Sequence, residues 1–244
     1  TFSEAVDVET GNILIKKTSD DSTFETVTHN GGLVSVSSNV VTINPAGTFV
    51  SSTGYYLVIP STFFDDASSN DYAGFSTKTV LNFTSADSVA PTLASSSPAD
   101  NATGVAEGSN IVLTFSEVVD RESGNITIKK TSDNSTIEAI AVTDSKITGT
   151  GTNVITINPT ANLASSTEFY VLVDSSAFDD TSSNSYAGIS STTALSFTTS
   201  DTVSPTLASS SPADGSTGIA VSSNIILNFS EAVDVETGNI VIKR

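Results

Sequence analysis

Phe115-Ser116-Glu117-Val118-Val119-Asp120, followed three residues later by Gly124-Asn125-Ile126-Thr127-Ile128-Lys129, occurs in three closely similar copies in this chain. The first copy is Phe2-Ser3-Glu4-Ala5-Val6-Asp7 with Gly11-Asn12-Ile13-Leu14-Ile15-Lys16. The third is Phe229-Ser230-Glu231-Ala232-Val233-Asp234 with Gly238-Asn239-Ile240-Val241-Ile242-Lys243. The copies stand 113 and 114 residues apart. Such a period exceeds a solenoid unit and has the size of an autonomous domain.

Around the middle copy the chain alternates. Ile111, Leu113 and Phe115 are separated by Val112 and Thr114, and Ile126 and Ile128 by Thr127. Ile137 to Val142, Lys146 to Thr148, Ile155 with Ile157, Phe169 with Val171 and Val173, and Leu195 with Phe197 continue the period-two pattern. Turn residues punctuate it: Pro98 to Gly104, Arg121 to Gly124, Ser132 to Ser135, Gly149-Thr150-Gly151 and Asn158-Pro159. About eight short strands with regularly spaced turns predict an antiparallel β-sandwich. In this reading Phe115 closes a strand and Glu117 opens an acidic loop. Residues 177–186 form another loop, with one helical turn at Phe178-Asp179-Asp180. Lys16-Lys17 and Lys129-Lys130 read as edge-strand charges that discourage sheet-to-sheet association.

The division is an N-terminal repeat over 1–86 lacking its first strand, a whole repeat over 87–200, and the first strands of a third over 201–244. The junctions, Ser85 to Thr92 and Thr199 to Thr206, are near twins, each with one Asp, one Pro and no Gly. They are semi-rigid rather than flexible linkers. The expected context is a window on a longer tandem array, with residue 1 not a native start. Residues 201–228 also correspond to the strand that the first repeat lacks, so strand exchange between chains is geometrically open.

The 244 residues carry 27 acidic and 9 basic side chains, a net charge of −18. That balance opposes binding to nucleic acid or anionic membranes and favours solubility and cations. There is no Cys, Met or Trp, so no disulfide and no thiolate chemistry. No apolar run reaches the roughly 20 residues of a membrane helix, so no membrane insertion is expected.

The ordered set Ala90-Pro91-Thr92-Leu93, Ser97-Pro98-Ala99-Asp100, Thr103-Gly104, Asn110 to Glu117, Gly124-Asn125-Ile126, Ile157-Asn158-Pro159, Phe178-Asp179-Asp180, Tyr186-Ala187-Gly188 and Ser196 to Thr199 resembles the bacterial immunoglobulin-like repeat of the S-layer (SbsA-like) type. The resemblance implies an all-β chain of tandem immunoglobulin-like antiparallel β-sandwiches, secreted or at the bacterial cell surface. It implies a stalk, spacer or lattice element whose partners are neighbouring repeats, end to end.

No enzyme is expected. His29 is the one histidine and is not repeated, and the paired carboxylates recur in each module, unlike an active site. Calcium is the sharper expectation, because hard cations take several oxygen ligands. In an immunoglobulin-like sandwich the loop after the second strand, the loop before the last strand and the incoming linker share one end. That would gather Asp87, Glu117, Asp120, Glu122, Asp179, Asp180 and Asn184 at one junction, and Asp201, Glu231, Asp234 and Glu236 at the next. Glu4, Asp7, Glu9, Asp65, Asp66, Asn70 and Asp71 correspond in the first repeat. The function expected is a structural module of a long extracellular fibre or adhesin stalk. An S-layer lattice protein and a carbohydrate- or ice-binding module stand as alternatives.

Overall fold

The alternating segments form strands packed in pairs of sheets, with no α-helix among the described residues. The structure, a computed structural model, describes residues 1–243. The first repeat contains β1 (Asp7–Val8), β2 (Asn12–Lys17), β3 (Thr23–Thr28), β4 (Val34–Ser37), β5 (Val40–Ile43), β6 (Gly54–Val58), β7 (Phe64–Asp65) and β8 (Asn82–Thr84). The middle repeat contains β9 (Leu93–Ser97), β10 (Ala102–Val105), β11 (Ile111–Arg121), β12 (Asn125–Lys130), β13 (Thr136–Ala141), β14 (Ile147–Thr148), β15 (Thr152–Ile157), β16 (Glu168–Val173), β17 (Phe178–Asp179) and β18 (Ser196–Thr199). The third piece is a hairpin of β19 (Leu207–Ser211) and β20 (Ile226–Phe229).

In the middle repeat one sheet runs β10-β18-β16-β12-β13, and the facing sheet runs β14-β15-β11-β17 with β9 also paired to β11. The alternation dictates the layering: Ile111, Leu113 and Phe115 point inward from β11 and meet Ile126, Ile128, Phe169, Val171 and Phe197 from the other sheet. Each such side chain, fully removed from water, stabilises the fold by roughly 1.5–3 kcal/mol. Phe115 is held edge-on against Tyr186, their centroids 5.1 Å apart. The first repeat repeats this plan in part. Its sheet β3-β2-β6-β8 faces β4-β5 and the short pair β1-β7, and Phe2 packs on Tyr72 at 5.1 Å.

Four local expectations are corrected. Phe178-Asp179 is strand β17, antiparallel to Asp120 and Arg121 of β11, not a helical turn; the backbone N–H and C=O groups find partners across the sheet instead. The segment Pro98 to Gly104 is not all turn: β10 lies parallel to β18, the one parallel pair among the described strands. Lys129 and Lys130 belong to β12, which is flanked by β13 and β16. Lys16 and Lys17 likewise belong to β2, between β3 and β6. The lysine pairs therefore sit on central strands, at their ends, and guard no edge. Finally, Glu117 does not open a loop. β11 continues through it to Arg121, with a register shift between Thr114 and Val119 that bulges the strand outward at Glu117.

Candidate metal centre

The bulge in β11 is what presents Glu117. Strand pairing with β15 ends at Thr114 and resumes at Val119; between them Phe115 stays paired with Leu93 and Ser116 N–H donates to Thr92 C=O, which sets Glu117 beside the incoming linker. A second wall is the loop after β17. Asp180 is 4% exposed, and its Oδ1 accepts the backbone N–H groups of Ser182 and Asn184, both at 2.8 Å. Its Oδ2 accepts Asn184 Nδ2 at 2.8 Å. Asp180 N–H and Ser183 N–H close the loop through the carbonyls of Asn184 and Asp180, with Ser183 at φ 65°.

The third wall is the linker. Asp87 Oδ1 accepts Ser51 Oγ at 2.8 Å and its own neighbour's N–H, from Val89, at 3.1 Å. Ser51 Oγ in turn accepts Ser88 N–H at 2.9 Å. Asp87 is thus clamped to the first repeat while its carboxylate reaches the middle one. Carboxylate oxygens of Asp87, Glu117 and Asp180 all lie within 4.8 Å of one another. Among the described residues it is the one group of three or more Asp, Glu, His or Cys side chains drawn so close.

Electrostatics follows from this packing. Burial, and then the negative charges of Asp180 and Asp87, push the Glu117 carboxyl above its ordinary value. Among the described residues no donor reaches its carboxylate. Burial also works to raise Asp180, but the Asn184 side chain and the Asn184 and Ser182 N–H groups together outweigh it and hold that carboxyl low. Asp87 is held low by Val89 N–H first and the Ser51 hydroxyl second. Two anions are therefore fixed by dipoles, and a third is forced against them without a donor. That donor set, all carboxylate oxygen from three chain segments, fits a hard cation such as calcium and would not suit a soft one.

Of the other residues singled out from sequence, Asp120 and Asp179 face each other across β11 and β17. Asp120 accepts Thr150 Oγ1 at 3.2 Å. Glu122 lies in the exposed turn beyond β11, where its N–H bonds Ala177 C=O. Asn184 supports Asp180 and does not itself join the three. At the second junction Asp201 repeats the clamp, accepting Val203 N–H at 3.0 Å and Ser165 Oγ at 3.3 Å. Glu231, the counterpart of Glu117, has a buried Oε1 with no hydrogen-bond partner. Asp234 and Glu236 stand exposed, and residues 201–244 contain no counterpart of Asp180. In the first repeat Asp66 and Asn70 rebuild the same loop beside Glu4, around a cleft of about 220 Å³. The serine clamp, Ser51 and Ser165, is the part that sequence reasoning missed. Its only signal is recurrence: both serines precede the strand with Tyr55 or Phe169 by a similar interval.

The match to known families extends this picture across the chain. The family model for the bacterial Ig-like domain matches residues 1–85, 87–199 and 201–244. The chain belongs to the bacterial Ig-like domain family. Curated proteins yield no match. Bacterial Ig-like domains of this family are non-catalytic structural modules, commonly repeated and found in surface or extracellular proteins of bacteria. The match is to the bacterial Ig-like domain as such and does not single out the S-layer type. His29 lies exposed in the turn after β3. Tyr186 of this bacterial Ig-like domain is buried against Phe115 and offers no sugar-stacking platform.

Proposed function

We propose that the chain is a rigid spacer segment of a bacterial cell-surface fibre or adhesin stalk, its repeats set end to end outside the cell, with calcium stiffening each junction. The observation that carries this reading is Asp87. One side chain is hydrogen-bonded to Ser51 of the first repeat and placed within ligand distance of Glu117 and Asp180 of the next. A cation there would cross-link two sandwiches and fix their angle. The work done is mechanical: span, solubility from the acidic surface, and resistance to bending. The recurrence of the clamp at Asp201 and Ser165 supports a junction design that is used more than once.

Small-angle scattering of the 244-residue chain in calcium and in chelator tests the reading. A longer, narrower distribution of dimensions is expected with calcium, while the circular dichroism of the sandwiches is unchanged. Superimposable curves would overturn the calcium junction, and a compact particle in both conditions would overturn the spacer. Electron micrographs of assembled material separate a stalk from a lattice of the S-layer type. Thin filaments are expected; two-dimensional sheets would favour the lattice.

A further inference from the structure

We infer that the open edge of β13 in the middle repeat pairs with the β13 edge of a second copy of this chain, antiparallel and about a two-fold axis. The contact requires neither the calcium junction nor the stalk reading.

Since the lysine pairs guard no edge, the long edge strand of the middle repeat is unprotected. β13 is the six-residue strand Thr136-Ile137-Glu138-Ala139-Ile140-Ala141; it ends its sheet and pairs with β12 alone. The other margins of this repeat are blunted. β14 and β17 have two residues each. β9 runs into Pro98, and β10 contains Gly104 and shifts register against β18. β13 has no Pro, Gly or Lys, and an edge of that length without such residues accepts another strand.

The phase of the ladder shows which groups are free. Val142 N–H donates to Gly124 C=O at 3.0 Å, in the register that pairs Ile140 with Ile126 and Glu138 with Ile128. In an antiparallel pair such exchanging residues alternate with residues whose N–H and C=O point the other way. Ala139 and Ala141 therefore present theirs to the open edge. The Ala141 carbonyl agrees, since it accepts Asp144 N–H at 2.9 Å in the turn that leaves the strand. On the solvent face Ile137 is 47% exposed, and Ala139 and Ala141 are exposed as well. A two-fold axis at Ala139 sets this residue against its own copy and Ile137 against Ala141 of the second copy. Small residues meet at the centre, and each isoleucine covers an alanine, an isologous fit. β3, the counterpart in the first repeat, lacks that projecting side chain, because Phe24 is turned onto Phe49, 5.2 Å away.

Charge selects the occupant. The chain carries 27 acidic and 9 basic side chains, yet around β13 the signs balance. Lys129, Lys130 and Lys146 border it together with Asp133, Glu138 and Asp144, and Glu138 is paired with Lys146 at 3.0 Å. Antiparallel pairing lays the Lys129–Lys130 end of one copy beside the Asp144 end of the other. Two copies meet no net charge here, while most other approaches set acid against acid. One strand contact buries far less than the roughly 800 Å² per partner of a stable interface, so the pair is weak and reversible. The two copies run in opposite directions; on the stalk reading above, that joins stalks pointing toward one another.

The chain has no cysteine, so single substitutions test the register. In the full 244-residue chain Ala139→Cys puts two thiols across the axis with about 5.5 Å between Cα atoms, within disulfide reach. Ala141→Cys leaves them about 13 Å apart along the strands, out of reach. Under mild oxidation Ala139→Cys should form a dimer of twice 25.0 kDa roughly tenfold faster than Ala141→Cys, because only its thiols are concentrated by the contact. Sedimentation of the unmodified chain should show a concentration-dependent dimer, favoured by salt because the rest of the surface is acidic. Ala139→Lys should leave a monomer with the melting profile of the unmodified chain, since the position is exposed and sets like charges face to face. Equal oxidation rates at 139 and 141, or a dimer that survives Ala139→Lys, would overturn the inference. An unmodified chain that stays monomeric at every concentration and salt, yet stiffens with calcium, overturns this contact and leaves the spacer standing.

Discussion

Glu117 carries the conflict at the junction, and its titration tells the story. Its carboxyl is raised by burial and by Asp180 and Asp87, so the folded middle repeat without metal loses stability as pH rises from the ordinary glutamate range through that raised value. Asp180 has the opposite sign. Its carboxyl is held low in the fold, so its contribution is present above the ordinary aspartate range and lost as pH falls below it. In chelator, melts run from acid to neutral pH should show the metal-free repeat losing stability both as pH falls through the lowered Asp180 value and as it rises through the raised Glu117 value. Glu117→Gln should flatten the alkaline limb and raise the neutral-pH melting temperature in chelator, while removing the response to calcium. Asp180→Ala should act differently. It strips the partners from the part-buried N–H groups of Ser182 and Asn184 and from the Asn184 side chain, and should cost about 1–3 kcal/mol in denaturant unfolding of the middle repeat with or without metal. The three acidic residues were legible because each recurs with the period. The Ser51 clamp also recurs, at Ser165, but in a serine-rich chain that recurrence does not single it out as the partner of Asp87.

At the scale of elements, β11 explains both what could be read and what could not. Ile111 to Phe115 alternate cleanly because one face is buried and the other half-exposed. From Ser116 to Arg121 the pattern breaks into polar and charged residues, yet the strand persists. Val119 is buried in the core, Arg121 Nη1 donates to the carbonyls of Ile147 at 2.7 Å and Asp144 at 3.1 Å, and β17 supplies a new partner. Long-range pairing of this kind leaves no local signature. β18 deceives in the same way: Ser196 is buried although it reads as an outward residue, because its N–H donates to Asp100 Oδ1 at 2.9 Å. The Tyr-Ala-Gly motif shows a constraint of backbone rather than side chain. Gly188 has φ 79°, and a Cβ there would lie 2.5 Å from the Val173 carbonyl oxygen. It sits beside the bridge that joins Val173 to Ile189. Gly188→Ala should therefore destabilise the middle repeat by about 2–3 kcal/mol, from the left-handed backbone and the forced displacement of β16. The urea midpoint measures it, and a change within 0.5 kcal/mol would show that the bridge yields freely.

Within these 244 residues the middle repeat holds the fuller core, and heat should separate it from the first. The middle repeat buries 21 apolar residues in one core, the first only 9, because one side of the first stands open at Leu81 and Phe83. The periodicity made the three copies legible. Which core was full depended on which strands each copy contained, and the difference appears only when the sheets are assembled. Calorimetry of the dilute chain in chelator should resolve two transitions, the first repeat melting below the middle one. Calcium should act chiefly on the upper, since Glu117 and Asp180 belong to the middle repeat. At a hundredfold excess over its Kd the gain is about 2.7 kcal/mol, about 10 °C for a domain of this size. Asp87→Ala should remove that calcium shift and, by relieving its repulsion of Glu117, raise the upper transition slightly in chelator at neutral pH, while its lost hydrogen bonds fall on Ser51 and Val89 in the linker. The same variant should abolish the calcium-dependent change in scattering. An Asp87→Ala chain that still gained the full calcium shift would place the ion within the middle repeat alone, and the cation would then stiffen a domain and not the joint between two.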